Sequence, residues 1–161
     1  MCSSDLFDVQ LKMMADAFAA EGMSLEARRW SAGAAGEGVE AALVLTAWDY
    51  QDGADEFILA LDRLQAGGVP VFNSPELVRW NIRKTYLREL ADRGVATIPT
   101  LWPDRPERRD ILAAFDAFGA DRVVLKRQVG AGARAQQIFR RGEAVAEGDL
   151  LRKPHVREGD H

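Results

Sequence analysis

The sequence predicts an α/β fold with a mostly parallel sheet. Short apolar runs alternate with segments of helical periodicity, and glycine or proline marks nearly every junction between them. The composition is globular, with 47% hydrophobic and 29% charged residues in a chain of 161. Strands separated by helices form right-handed crossover units, and such crossovers place their strands parallel. The net charge of −4 argues against a nucleic-acid-binding role, which favours a basic surface. No apolar run approaches the roughly 18 residues of a membrane span, and no signal-peptide pattern is present, so a cytoplasmic protein is expected. The single cysteine, Cys2, excludes an intrachain disulfide framework and a cysteine-rich zinc site.

Met1 to Leu6 belongs to no recognisable element. Cys2-Ser3-Ser4-Asp5-Leu6 resembles translated sequencing-adapter sequence, so residues 1–6 are set aside as a non-native or disordered leader. From Phe7 to Gly22, Val9, Leu11, Met13, Met14, Ala17 and Phe18 recur at helical spacing, and Gly22 ends the run as a C-cap does. Ser24 to Arg28 alternates as a strand does, and Ser31 to Gly38 reads as a loop. Ala41 to Thr46 is continuously apolar, which predicts a strand buried on both faces. Phe57, Ile58, Leu61 and Leu64 predict a helix closed by Gly67-Gly68, and Val69 to Phe72 a further strand.

Asn73-Ser74-Pro75-Glu76 carries helix-start chemistry, a polar cap followed by proline at the first helical position. One continuous helix is predicted from Pro75 to Arg93, stopped by Gly94. Ile82, Tyr86, Leu87, Leu90 and Ala91 form its apolar stripe, and Lys84 falls roughly 110° from the stripe's middle at 100° per residue. A further helix is predicted from about Glu107 to Phe118. Val123 to Lys126 reads as a strand, Gly130 to Ala135 as a small-residue loop, and Gln136 to Arg140 as the strand's hairpin partner. The chain starts on a helix and nothing follows to cover its last strand, so truncation at both ends is expected.

Two segments carry candidate chemistry. Val123-Val124-Leu125-Lys126 runs into Gly130-Ala131-Gly132-Ala133-Arg134-Ala135. Backbone N–H groups in such a loop can approach phosphate oxygens closely, and the Lys126 ammonium would neutralise phosphate charge. The pattern is neither a Walker A loop nor a dinucleotide fingerprint, and a small-residue hairpin turn beside an edge lysine has the same sequence. The second segment is Arg79-Trp80-Asn81-Ile82-Arg83-Lys84-Thr85-Tyr86-Leu87; Arg79, Lys84 and Arg88 ordinarily read as a solvated basic face, with contact to a partner chain as a further alternative.

In this order the segments resemble the ATP-grasp superfamily, and most of all its prokaryotic glutathione-synthetase-like ligases. The resemblance spans roughly residues 8 to 161. It rests on Asn73-Ser74-Pro75, on Trp80 to Lys84, on Gly94-Val95-Ala96-Thr97-Ile98-Pro99-Thr100, and on Leu125-Lys126 through Ala135. Trp48-Asp49-Tyr50 is similar to a turn of the same relatives.

The resemblance implies a Rossmann-like pre-ATP-grasp domain over 7–100 and an incomplete ATP-grasp lobe over 101–161. It implies ATP as the cofactor, with Lys84 and Lys126 on its phosphates and Gly130, Ala131, Gly132 and Ala133 in the loop above them. Leu151 to Val156, with Lys153 and His155, corresponds to the adenine-facing hinge, and Asp160, or Glu158 beside it, to the residue on the ribose. The implied reaction is ATP-dependent coupling of a small-molecule carboxylate to an amine through an acyl phosphate. The alternative is a non-catalytic α/β domain that binds a phosphate-bearing small molecule.

Two positions depart from the family pattern: Arg83 stands where an aspartate often precedes the helix lysine, and Arg127 replaces a frequent proline. The implied magnesium ligands are acidic and asparagine residues beyond His161, so this chain alone is expected to be inactive. Asp104, Glu107 and Asp110 surround a helix start and are expected to cap it. His155 and His161 do not form a metal pair, and no Ser/His/Asp constellation is present.

Overall fold

The computed structural model describes residues 3–33, 36–45, 47–130, 136–146 and 150, and for residues 3–6 the backbone alone. The chain divides into two compact units, Met1–Val78 and Arg79–His161, so the boundary falls inside the expected 7–100 region.

In the first unit, helix α1 spans Ser3–Ala20. It ends as its glycine predicts: Gly22 takes a left-handed φ of 75°, and the Met23 N–H donates to the Phe18 carbonyl at 3.0 Å. Ser24–Arg28 forms no strand, contrary to its alternation. Strand pairing needs a neighbouring backbone, whereas here the Arg28 guanidinium donates to the Glu26 carboxylate at 2.9 Å and to the Glu37 carbonyl. Alternation alone does not supply a partner.

Strand β1, Ala42–Leu43, pairs in parallel with β2, Val71–Phe72, in the register Ala42↔Val71 and Leu43↔Phe72. The parallel expectation holds for this pair. Burial on both faces does not, because Leu43, Leu45 and Phe72 are all exposed. Helix α2, Ala54–Ala66, contributes Phe57 and Leu61 to the core, and Gly68 at φ 84° turns the chain out of it.

Trp48-Asp49-Tyr50 has a packing role. Asp49 opens a single 3-10 turn, Asp49–Asp52, and its Oδ1 accepts the Trp30 indole N–H at 2.7 Å. Phe57 lies against both aromatic rings, edge-on to Trp30 at 5.3 Å and stacked with Tyr50 at 5.7 Å. Asn73 adopts a left-handed φ of 59°, and its amide donates to the Val44 carbonyl at 2.9 Å, tying the ends of β1 and β2 together. Helix α3 then runs Pro75–Asn81, with Pro75 and Val78 buried and the Ser74 hydroxyl accepting the Leu77 N–H at 3.3 Å.

The predicted continuous helix from Pro75 to Arg93 is corrected. It breaks at residues 82–85, and helix α4 resumes at Tyr86–Asp92. Inside a helix the Lys84 N–H would donate four residues back, to Trp80. Instead it donates to the Gln128 carbonyl at 2.9 Å, a long-range partner that helical periodicity does not reveal. Trp80 spans the break, its ring 5.2 Å from Tyr86 and its indole N–H on Glu89 at 2.8 Å. Gly94 ends α4 as predicted, at φ 84°, with the Val95 N–H on the Leu90 carbonyl at 3.0 Å.

The second unit's core is amphipathic helix α5, Arg108–Phe118, packed on an antiparallel hairpin of β3, Arg122–Leu125, and β4, Gln137–Arg140. Ile111, Ala114 and Phe115 occupy one face of α5 at helical spacing and bury against Val123, Phe139 and Val145. Val123 and Phe139 are directly paired across the hairpin, while Val124 and Ile138 alternate outward. Asp110 takes the capping role expected of it, accepting the Glu107 N–H at 2.7 Å. In place of one mostly parallel sheet, the described residues form a parallel pair in the first unit and this hairpin in the second.

Candidate anion site

The candidate site lies within the second unit, where three consequences of the sequence meet. The α3–α4 break presents Lys84. The end of β3 delivers Lys126 and Arg127 directly after the last paired residue, Leu125. The turn leaving β3 carries Gln128 to Gly130.

Lys84 holds this turn at two points. Its backbone N–H donates to Gln128 at 2.9 Å, and its ammonium donates to the Gly130 carbonyl at 2.7 Å. The side chain is half-buried, and its pKa is lowered from the ordinary lysine value, first by burial and then by the positive charges of Lys126 and Arg127. Lys126 is exposed and Arg127 half-buried.

A clustered set of cations beside a backbone turn is poised for an anion. An ammonium has three donors, and Gly130 occupies one of them. A polyphosphate entering here would relieve the mutual repulsion of the cations and give Lys84 back its proton affinity.

Of the sequence-predicted site residues, the structure brings Lys84, Lys126 and Gly130 together. Ala131, Gly132, Ala133, Lys153, His155 and Asp160 lie outside the described residues. Arg127, which the sequence reading treated only as a departure from a motif, joins the cluster. Its adjacency to Lys126 was visible in the sequence, while its charge on Lys84 needed the Lys84–Gln128 contact. A shallow depression of about 310 Å³ lies elsewhere, lined by Gln137–Arg140 and Glu143–Val145. Its lining includes neither lysine, and the anion assignment rests on the charge cluster.

Among the described residues no group of three His, Cys, Asp or Glu side chains is arranged to hold a metal, so none is assigned to magnesium. Among the same residues no helix is long and apolar enough to cross a membrane.

Residues 2–73 match a family model. It describes the N-terminal domain of the D-cycloserine synthetase DcsG. The match begins within the segment set aside as a leader and ends at Asn73, after β2. The crystal structure of D-cycloserine synthetase DcsG also matches, with a TM-score of 0.71 and 23% identity, over 83% of this chain. That is more than the first unit contains, so the likeness to DcsG continues into the second. At this identity the DcsG structure establishes the fold. This chain spans 46% of the DcsG chain, under half its length. No curated protein sequence matches.

Proposed function

We propose that this chain is the nucleotide-gripping part of an ATP-dependent carboxylate–amine ligase of ATP-grasp type. The observation that carries the reading is the convergence of Lys84, Lys126 and Arg127 on the turn at Gln128–Gly130. Similarity of residues 2–73 to the N-terminal domain of a synthetase supports the ligase class. D-cycloserine synthesis is the activity named for that relative, and a ligase making a related small amino-acid derivative is the corresponding reading here.

In this mechanism the lysines neutralise the nucleotide's phosphates and stabilise charge on the phosphoryl group as it passes to the carboxylate. The amine then displaces phosphate from the acyl phosphate. Magnesium would supply further charge neutralisation when bound, and no described residue is assigned to it. On this reading the chain by itself binds ATP weakly.

The test is titration calorimetry of ATP against the chain and its Lys126→Ala variant. Micromolar-to-millimolar binding that weakens about tenfold in the variant, as expected for loss of a charge-assisted phosphate contact, supports the reading. Equal binding by both proteins overturns it. A non-catalytic phosphate-binding domain is the second reading, and the same charge cluster favours it. Absence of ATP-dependent ligation by the parent protein with any carboxylate–amine pair, alongside intact ATP binding, selects it.

A further inference from the structure

We propose that Lys84 is a site of covalent acylation by small acyl phosphates, with Lys126 holding the phosphate that leaves. This rests on the anion reading above and deepens it, because an acyl phosphate is the class of compound that the proposed ligation forms.

Acylation of a lysine needs a neutral amine that is fixed in place and open to the reagent. A carboxylate partner works against this, since it holds the ammonium in its charged form. Lys12 is such a case, with its Nζ 2.8 Å from Asp16 Oδ2 and both side chains exposed. Lys84 has a different partner. Its Nζ donates to the neutral Gly130 carbonyl at 2.7 Å, and a deprotonated amine still has an N–H for that bond. With one N–H on Gly130 and the Lys84 backbone N–H on Gln128 at 2.9 Å, both ends of the residue are held. The lone pair of the neutral amine is then left for an electrophile. Burial is the first cause of the lowered Lys84 pKa, so the neutral form is reached below the pH that an ordinary lysine requires.

Lys126 supplies the second half of the device. It is exposed, and it is close enough for its charge to bear on Lys84. A phosphate paired to Lys126 brings the attached acyl group beside Lys84 Nζ, which turns a chance encounter into a local reaction. The step balances without an oxidant or reductant. The Nζ lone pair forms the C–N bond, the acyl C–O bond breaks, inorganic phosphate leaves with that electron pair, and the surplus proton of the amine passes to solvent. The product is an uncharged secondary amide. Its one N–H can remain on the Gly130 carbonyl, and it offers a nucleotide phosphate neither charge nor a spare donor.

The experiment treats the full chain with acetyl phosphate and follows each lysine by peptide mass spectrometry, with acetic anhydride as a donor that carries no phosphate. Lys84 should be acetylated by acetyl phosphate faster than Lys12 or Lys126. In Lys126→Met the Lys84 rate with acetyl phosphate, taken relative to that with acetic anhydride, should fall about tenfold, as for loss of one charge-assisted phosphate contact. The acetylated chain should bind ATP more weakly by calorimetry. If Lys12 or Lys126 reacts as fast as Lys84, or if the relative rate is unchanged in Lys126→Met, the proposal is overturned. ATP binding that persists in the untreated chain then leaves the nucleotide reading standing, and its absence removes both.

Discussion

Arg141 sits where the hairpin bearing Lys126 returns to α5, and replacing it by alanine should loosen that junction by about 2 kcal/mol. The magnitude follows from its partners. Its guanidinium donates to the part-buried Phe115 carbonyl and, at 2.8 Å, to the Asp116 carboxylate. The Asp116 side chain is 78% exposed, so that ion pair is screened and contributes only about 0.5 kcal/mol. The charged hydrogen bond to the Phe115 carbonyl is worth about 1 kcal/mol, since that carbonyl keeps the Ala120 N–H at 3.2 Å when the guanidinium is removed. The guanidinium also lies 5.4 Å from the centre of the Phe115 ring, an attraction of about 0.5 kcal/mol at such a site. The Ala120 carbonyl at 3.4 Å adds little. Urea denaturation of Arg141→Ala, followed through the NMR signals of Val123 and Phe139, should show a lower midpoint at unchanged slope. Arg141→Lys should recover less than half of the loss, because a single ammonium cannot serve carbonyl and carboxylate together. A loss below about 0.5 kcal/mol would mean that these contacts are no stronger than an ordinary surface pair, and the reasoning would be refuted.

Three further outcomes are expected. Gly94→Ala should destabilise the chain by about 1–2 kcal/mol, because φ is 84° with nothing within 4 Å of the added Cβ, so the whole cost is conformational; thermal or urea unfolding reads it. Asp49→Ala should cost about 0.5–1 kcal/mol, because water can replace the lost acceptor at this exposed Trp30 indole hydrogen bond, and should show as a lowered unfolding midpoint, whereas Asp49→Asn should retain most of it. The third concerns pH. The Lys84 pKa is lowered in the free fold, so its proton is lost below the ordinary lysine value of 10.5, and the folded chain gains stability from this group as pH rises through that interval. Anion binding favours the charged form, so pyrophosphate affinity should be level below the lowered pKa and fall as pH rises through it, with proton uptake on binding. Calorimetry across pH and in buffers of different ionisation enthalpy checks this, and Lys84→Arg should flatten the profile.

Helix ends and local turns were legible in the sequence because their causes are local. Gly22, Gly68 and Gly94 each take the left-handed conformation where the helical pattern stops. Pro75 starts a helix, Asp110 caps one, and Val123 to Lys126 finds its hairpin partner just beyond a small-residue stretch. The helix expected from about Glu107 to Phe118 forms as α5, and its buried residues Ile111, Ala114 and Phe115 fall at helical spacing.

Where the pattern misled, a distant partner decided. Among the described residues Ser24–Arg28 alternates yet pairs with no strand, and the apolar run after Ala41 gives two ladder residues, Ala42 and Leu43, opposite Val71 and Phe72. Helical periodicity ran unbroken from Pro75 to Arg93, but the Gln128 carbonyl, 44 positions on from Lys84, takes the amide that would have continued the helix. That bond turns a lysine on a helix flank into a half-buried cation against Gly130. The sequence by itself determined which residues could bear the charge and where the chain would turn. The tertiary structure decided that Lys84, Lys126 and Arg127 share one turn, because a hydrogen bond between segments far apart in the chain leaves no trace in the periodicity of either.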